Sequence, residues 1–481
     1  MAVERVLILD IGTSSAKAAL FDGTGHVIAA ADHKLATSVP EPGFAEQEAD
    51  DWWRATIAAV RALGIEGGVD AITLTGSMQN VLLLGSDGAA LRPAILYSDA
   101  RVDAARVEAV SADLPGDFEA RIGNAADPAL CLYRLDWLHE HDPSVMASTA
   151  RILFGAKDAV IFQMTGRAVV DPATATTTGL MNLADRLWDA TILGAIGLAP
   201  ALLPDILDAD ALAGPLMPEA ATALGLAAGI PVYVGSGDGG ATAWGTASEA
   251  HDRPHAYLGT TGWIAATMPL ELAAPLRASY TLAGPVGRDV VVIAPFLAAG
   301  LALDWFAAIS GRAVPELYAA AATYDAEPPS VLFLPYLIGE RAPFSDRKVR
   351  GAFLGLDAAQ STEALAYAVL EGLAFAIRDN LDALPVRPRA IVLAGGVAGA
   401  DVVAQLVADV IGAEVEVPPE SRLVTAYGAY RMLAPMIGAT SAPEAGGRVA
   451  SPRPERAARA ARRFAAYRSA TEAVRALAAD L

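Results

Sequence analysis

The sequence has a single cysteine, Cys131, which excludes an intrachain disulfide framework and any cysteine-based zinc site. Histidine is scarce too, six in all, and His139-Glu140-His141 has the wrong spacing for a zinc helix and reads as a solvated helix end. Positive charge is in deficit: 35 Lys plus Arg face 55 Asp plus Glu, a formal net charge of −20. That balance argues against nucleic acid or an anionic membrane as a partner, while leaving room for a local basic pocket. Long hydrophobic runs are missing. The longest apolar stretch, Val290 to Leu303, is too short to span a bilayer and contains Pro295 and Gly300. No positively charged leader precedes the strand-like Val6-Leu7-Ile8-Leu9. Charged residues at 19% against 54% hydrophobic exclude a disordered chain. What remains is an acidic globular protein of 481 residues, expected to be soluble and cytoplasmic. At about 150 residues per domain, two or three domains are expected.

The chain opens with strands. Arg5 to Asp10 is apolar and ends in a polar loop, Ala16 to Phe21 follows, and Asp22-Gly23-Thr24-Gly25 turns into Val27 to Ala31. A helix is expected from Asp50 as N-cap, with Trp53, Ile57 and Val60 on one face. Strand-like runs at Ala71 to Leu74, Arg151 to Phe154 and Pro231 to Gly235 alternate with helical patterns, which is the signature of an α/β chain. The Arg-rich tail, Arg453 to Arg475, interleaves Ala, Phe464 and Tyr467 at helical spacing and reads as an exposed terminal helix. Cys131 reads as a small core hydrophobe.

A weak internal echo organises the rest. Val6 to Ser14 resembles Ala256-Tyr257-Leu258-Gly259-Thr260-Thr261, an apolar strand running into a small polar turn. Ile72-Thr73-Leu74-Thr75-Gly76-Ser77 similarly resembles Ile391-Val392-Leu393-Ala394-Gly395-Gly396. Two similar halves with glycine loops at strand ends would face each other across a cleft, since ligands of α/β sheets gather beyond strand carboxyl ends. Chance similarity among Ala/Gly/Leu-rich segments is the alternative. The expected boundary falls near Ala247 to Pro254, giving domains over 1–246 and 247–481.

Several residues in these loops carry chemistry. Asp10 is followed by Gly12-Thr13-Ser14-Ser15 and Lys17. A carboxylate beside backbone N–H groups and hydroxyls suits a phosphate with its Mg2+; a hairpin turn capped by Asp10 is the alternative. Gly235-Ser236-Gly237-Asp238-Gly239-Gly240 matches Gly-x-Gly-x-x-Gly, yet no acid ends the next strand candidate, and a carboxylate inside the run would repel a pyrophosphate. Asp238 fits better as a reacting carboxylate that its glycine neighbours leave unshielded, or else as an Asx-turn residue. Gly395-Gly396, before a helix with Asp401 as N-cap, suits close approach by adenine or phosphate, or a routine strand-to-helix turn. Thr75 to Asn80 and Ile95 to Arg101 place polar groups at strand ends, suited to hydroxyl ligands.

Together these residues resemble the FGGY family of carbohydrate kinases, most closely its xylulokinase-like branch, over nearly the whole chain from Leu7 to about Leu433. Asp10 to Lys17 is similar to the family's first phosphate motif and Leu258-Gly259-Thr260-Thr261-Gly262 to its second. Pro335-Tyr336-Leu337-Ile338-Gly339-Glu340-Arg341-Ala342-Pro343 is similar to the signature Pro-Tyr-x-x-Gly-Glu-Arg-x-Pro, and Leu393-Ala394-Gly395-Gly396 to the adenosine-binding turn. The resemblance implies an actin-like α/β fold of two ribonuclease-H-like domains, sugar-binding and then nucleotide-binding, that close on ATP and sugar. It implies Asp238 as catalytic base and, with Asp10, as a Mg2+ site. It implies ATP and phosphate contacts at Gly12, Thr13, Ser14, Lys17, Gly259, Thr260, Thr261, Gly395 and Gly396. Met78, Gln79, Asp99 and Arg101 would bind the sugar. Gln79, Asn80 and Ser98 depart from the family's Met-His-Gly and Asn-Asp-Gly-Arg segments. The implied reaction is phosphorylation of D-xylulose to D-xylulose 5-phosphate, with ribulose, a pentitol or gluconate as alternative acceptors. An actin-like ATPase without a sugar is the reading from another class. The oligomeric state stays open, a homodimer being one candidate.

Overall fold

The computed structural model describes residues 4–65, 68–246, 250–273, 279–324, 327–418, 423–440 and 447–480. The chain divides into two compact units. The first comprises Met1–Gly245, Thr281–Val291 and Leu423–Pro443; the second comprises Thr246–Tyr280, Val292–Arg422 and Glu444–Leu481.

In the first unit the apolar runs expected from sequence form β1 (Arg5–Ile11), β2 (Ser15–Asp22), β3 (Val27–Lys34) and β4 (Ala71–Gly76). They are joined by β5 (Leu212–Pro215), β6 (Pro231–Tyr233) and β7 (Ser236–Gly237). The sheet runs β5-β6-β4-β1-β2-β3, with β7 also pairing β4. β1 and β2 are antiparallel, whereas β1 and β4 are parallel. One face carries helix α1 (Ala49–Ala62) and α2 (Ala156–Thr165), with Leu7, Leu9, Trp52, Val160 and Ile161 in its core. Helix α1 begins one residue before the expected cap: Glu48 is the N-cap and Asp50 lies in the first turn. The helix buries Trp52, Ala55, Thr56, Ala59 and Val60, so Trp53 and Ile57 flank the apolar stripe.

The second unit builds β8 (His255–Leu258), β9 (Gly262–Met268), most of β10 (Val290–Phe296), β11 (Ala390–Ala394), β12 (Glu414–Val417) and β13 (Arg448–Ala450). Their order is β10-β9-β8-β11-β12-β13. Again the first hairpin is antiparallel and the next neighbour parallel. The orders β3-β2-β1-β4 and β10-β9-β8-β11 are therefore the same ribonuclease-H-like arrangement, and the internal echo is structural. One close approach explains its glycines. A Cβ on Gly76 would collide with the Ile11 carbonyl, and a Cβ on Gly395 (φ +97°) would collide with the carbonyl of Leu258, the equivalent strand end.

Three expectations change here. The start of the expected boundary, Ala247, lies outside the described residues (247–249). The crossing after Gly245 is one of several, because helix Val424–Ile437 belongs to the first unit. Its small residues let it seat on helix Asp238–Gly245: a Cβ on Gly428 would collide with the Ala241 carbonyl, and Tyr430 stacks on Phe21 at 5.2 Å. The Arg-rich tail forms helix Pro454–Asp480, but it is not an exposed rod. It buries Phe464, Tyr467 and Thr471 along one stripe, and Arg463 pairs with buried Glu371 at 2.5 Å. Asp401 opens helix Asp401–Ile411, whose N-cap is Ala400, and its carboxylate pairs with Arg448. Cys131 is fully buried, as expected. Among the described residues no helix is long and apolar enough to cross a membrane.

Candidate active site

Strand register sets the geometry of the first unit's site. Asp10 pairs with Lys17 across the β1–β2 hairpin and with Thr75 on β4, while Thr75 pairs with Ser236 on β7. Asp10 and Asp238 therefore emerge at the same end of the sheet with one strand between them. Asp10 Oδ2 lies 3.0 Å from Lys17 Nζ. The intervening Gly12-Thr13-Ser14 turn is a tight hairpin, closed by Gly12 N–H to the Ser15 carbonyl at 3.0 Å. Buried Gln47 anchors it by donating to the Thr13 carbonyl at 2.7 Å while accepting from Trp52 Nε1 at 2.7 Å.

Asp238 is the first residue of helix Asp238–Gly245 and is exposed as a residue. The protein crowded around it pushes its carboxyl up to about 7, and the charge of Asp10 adds to the rise. The Gly239 N–H, donating at 2.8 Å, opposes them. Two acids whose charges oppose each other form a site that a hard cation stabilises. Mg2+ fits these oxygen donors, since it is commonly held by one or two carboxylates plus phosphate and water. Among the described residues no three His, Cys, Asp or Glu side chains converge into a closed metal cage.

The two expected sugar loops meet here as well. Gln79 is half-buried and left-handed at φ 59°, with its carbonyl accepting from Arg134 at 2.6 Å. Met78 sits where a Cβ on Gly237 would be, next to the turn that delivers Asp238. Asn80 ties the loops together: its side-chain amide donates to the Ser77 carbonyl at 3.2 Å and its oxygen accepts from Tyr97 N–H at 3.3 Å. Asp99 and Arg101, expected on the sugar side, are also brought together. Both side chains are closed to solvent, with Arg101 Nε 2.8 Å from Asp99 Oδ1 and Nη2 2.6 Å from Glu46 Oε1. The guanidinium lies over Phe44 at 4.1 Å. They belong to the loop that carries Tyr97 and Ser98, which are exposed.

In the second unit, Gly259-Thr260-Thr261 closes the β8–β9 hairpin, with Gly259 N–H donating to the Thr261 carbonyl at 3.0 Å. The Thr260 carbonyl accepts from Leu301 N–H at 3.0 Å in the helix that follows β10. Gly395 and Gly396 form the turn after β11, with Gly396 exposed. Glu340 of the Pro335–Pro343 segment is buried and accepts from the Leu297 and Arg341 amides at 3.0 and 2.8 Å.

Sequence reasoning missed Lys157, Asp158 and Asp171, fully buried beneath the Asp238 turn. The signal was present: a Lys-Asp pair inside the apolar run Ala156-Lys157-Asp158-Ala159-Val160-Ile161-Phe162 has no solvent-facing explanation. It also missed Arg134, buried with its guanidinium on the Gln79 and Tyr97 carbonyls.

Comparison with known proteins fits this geometry. Residues 5–245 match the N-terminal domain, and residues 256–435 the C-terminal domain, of the FGGY family of carbohydrate kinases. The chain is 33% identical over 433 residues to a xylulose kinase of Escherichia coli K12, covering 88% of both chains. It is 30% identical over 456 residues to a glycerol kinase of Thermus brockianus, covering 89% of both. A solved "xyloylose kinase" of Brucella ovis superposes with a TM-score of 0.92 at 29% identity, covering 98% of this chain and 100% of that one. A phosphotransferase acting on an alcohol group, this chain belongs to the FGGY family of carbohydrate kinases.

Proposed function

We propose that the enzyme transfers the γ-phosphoryl group of ATP to the terminal hydroxyl of a ketopentose, converting D-xylulose to D-xylulose 5-phosphate. The observation that carries the reading is the strand register that brings Asp238, exposed at the start of its helix, to the same end of the sheet as Asp10 and the Gly12–Ser14 turn, where a carboxylate can serve as a general base. Asp238 accepts the proton of the hydroxyl as that oxygen attacks the γ-phosphorus. Lys17 and the Gly12–Ser14 turn form the phosphate contact of the first unit. The Gly259–Thr261 and Gly395–Gly396 turns form the nucleotide contacts of the second. Asp10 and Asp238 would hold Mg2+, which when bound supplies charge neutralisation at the phosphoryl oxygens. Met78 and Gln79 contact the sugar, and Asp99 with Arg101 fixes the loop beside it.

D-Xylulose is favoured by the identity to the Escherichia coli xylulose kinase across both units. Gln79, Asn80 and Ser98 are where this chain's acceptor preference would be written. A coupled ADP-release assay over ketopentoses, pentitols, aldonates and glycerol tests the reading. The highest kcat/KM is expected for D-xylulose. A higher value for another acceptor would move the assignment to that compound. ATP consumption unaffected by any of them would favour the sugar-free ATPase.

A further inference from the structure

The segment that delivers Asp238 rests on a charged cluster sealed from solvent. Asp171 accepts hydrogen bonds from four neutral groups besides the ammonium of Lys157. Gly237 N–H and the Thr174 hydroxyl donate to Oδ1 at 3.1 and 2.6 Å. Thr174 N–H and the Ser236 hydroxyl donate to Oδ2 at 3.1 and 3.3 Å. The ammonium of Lys157 lies 2.9 Å from Asp171 Oδ1 and 2.7 Å from Asp158 Oδ1, and all three side chains are 0% exposed.

Ions so buried carry a desolvation penalty that apolar residues of the same volume avoid, so stability alone is a weak reason for them. Their bonds point to another role. Two of Asp171's four neutral donors are Ser236 and Gly237, the residues immediately before Asp238. A carboxylate fixed by an ammonium is an acceptor that cannot rotate away, so it fixes where the next side chain starts. The same cluster reaches the sugar loop. Helix α2, which bears Lys157 and Asp158, donates Ala156 N–H to the Ser77 carbonyl at 3.1 Å, and Met78 and Thr174 both occupy the space a Gly237 Cβ would need.

We propose that the buried Lys157–Asp171 pair positions Asp238, holding the Ser236–Gly237 turn in one register with the Ser77–Met78 loop so that base and acceptor hydroxyl are aligned. The proposal rests on the reading of Asp238 as the base. Lys157 and Asp171 are positioning residues here; neither touches substrate.

The test compares kcat and KM of wild type, Asp171→Asn, Ser236→Ala and Asp238→Asn, at a temperature where circular dichroism finds each folded. Asp171→Asn keeps the shape but weakens the acceptor. It is expected to lower kcat roughly 10²-fold, the scale of a misplaced reacting group. The KM for ATP should stay within about twofold, because the lost interaction belongs to the transition state. Ser236→Ala, which removes one Asp171 bond and leaves the ion pair, should lower kcat about three- to tenfold. The Asp171→Asn/Ser236→Ala double variant should be no slower than Asp171→Asn alone, since both act on one turn. Folded Asp171→Asn with wild-type kcat, or with its defect confined to the KM for ATP or to the melting temperature, overturns the proposal. If Asp171→Asn does not fold, wild-type kcat in Ser236→Ala overturns it equally. Asp238→Asn separates the two ideas. An active Asp238→Asn sinks the base assignment and the proposal together, whereas an inactive one beside a normal Asp171→Asn sinks only the proposal.

Discussion

The guanidinium of Arg134 donates 2.6 Å to the carbonyl of Gln79 and 3.0 Å to the carbonyl of Tyr97, joining the two candidate sugar loops from beneath. Arg134 is fully buried and Gln79 is held left-handed, at φ 59°. Each hydrogen bond to these part-buried carbonyls is worth about 0.5–1.5 kcal/mol, and here two are lost at once. Arg134→Met should therefore lower the melting temperature by several degrees. It should also raise the KM for the sugar more than the KM for ATP, because both loops belong to the acceptor side. Equal changes in the two KM values would detach Arg134 from the acceptor loops.

Asp238→Asn should leave the fold intact, since the residue is exposed and its hydrogen bond is to the neighbouring Gly239 amide. Turnover should fall by roughly 10²–10⁴, the range for a general base. Binding of an ATP analogue, read by calorimetry, should persist. Near-normal turnover in the purified variant would remove Asp238 from the mechanism.

The parts of this fold written in short range were legible in sequence. β1, β2 and β4 are apolar runs that end in small polar turns, and Gly76 and Gly395 repeat because the same carbonyl crowds both positions. What was illegible depends on partners far along the chain. Arg463 looks like a solvent-facing residue in an Arg-rich helix until Glu371 and the Pro329 and Val331 carbonyls surround it. Helix Val424–Ile437 interrupts the second unit in sequence, yet its small residues match helix Asp238–Gly245, nearly two hundred residues earlier. Asp99 and Arg101 were identified by type, but their burial against each other needs Glu46 and Phe44, brought in by another loop.

Glu340 gives the protein a pH-dependent stability of known sign. Burial pushes its carboxyl up to about 8, against the opposing hydrogen bonds of the Arg341 and Leu297 amides. Asp379 is likewise pushed up by burial, to about 6. The folded state thus holds these protons more tightly than the unfolded chain. Their stabilisation is complete below the ordinary carboxylate range and is lost as pH rises through those values. The melting temperature should fall from about pH 4.5 to about pH 8, and Glu340→Gln should flatten that fall, most of all above pH 6. Parallel pH profiles for wild type and variant would exclude Glu340 as the source.

Specificity is the last consequence, and it turns on Gln79. Its side chain offers an amide oxygen acceptor and an NH2 donor, both neutral at any working pH. Histidine at the same place has one donor and one acceptor when neutral and becomes a cation near pH 6.5. The backbone at this position, φ 59°, is one that histidine adopts more readily than most residues, so Gln79→His should not destabilise the loop. A site built to bond a given hydroxyl rejects an analogue that leaves its polar groups unpaired. Gln79→His should therefore reorder kcat/KM among ketopentoses, pentitols and glycerol, and make the ranking depend on pH around 6.5, where the imidazole titrates. The wild-type enzyme should show no such dependence of ranking. If the variant keeps the wild-type order at every pH and changes only its affinity for ATP, Gln79 is not a sugar ligand, and discrimination must reside in Tyr97 and Ser98 across the loop.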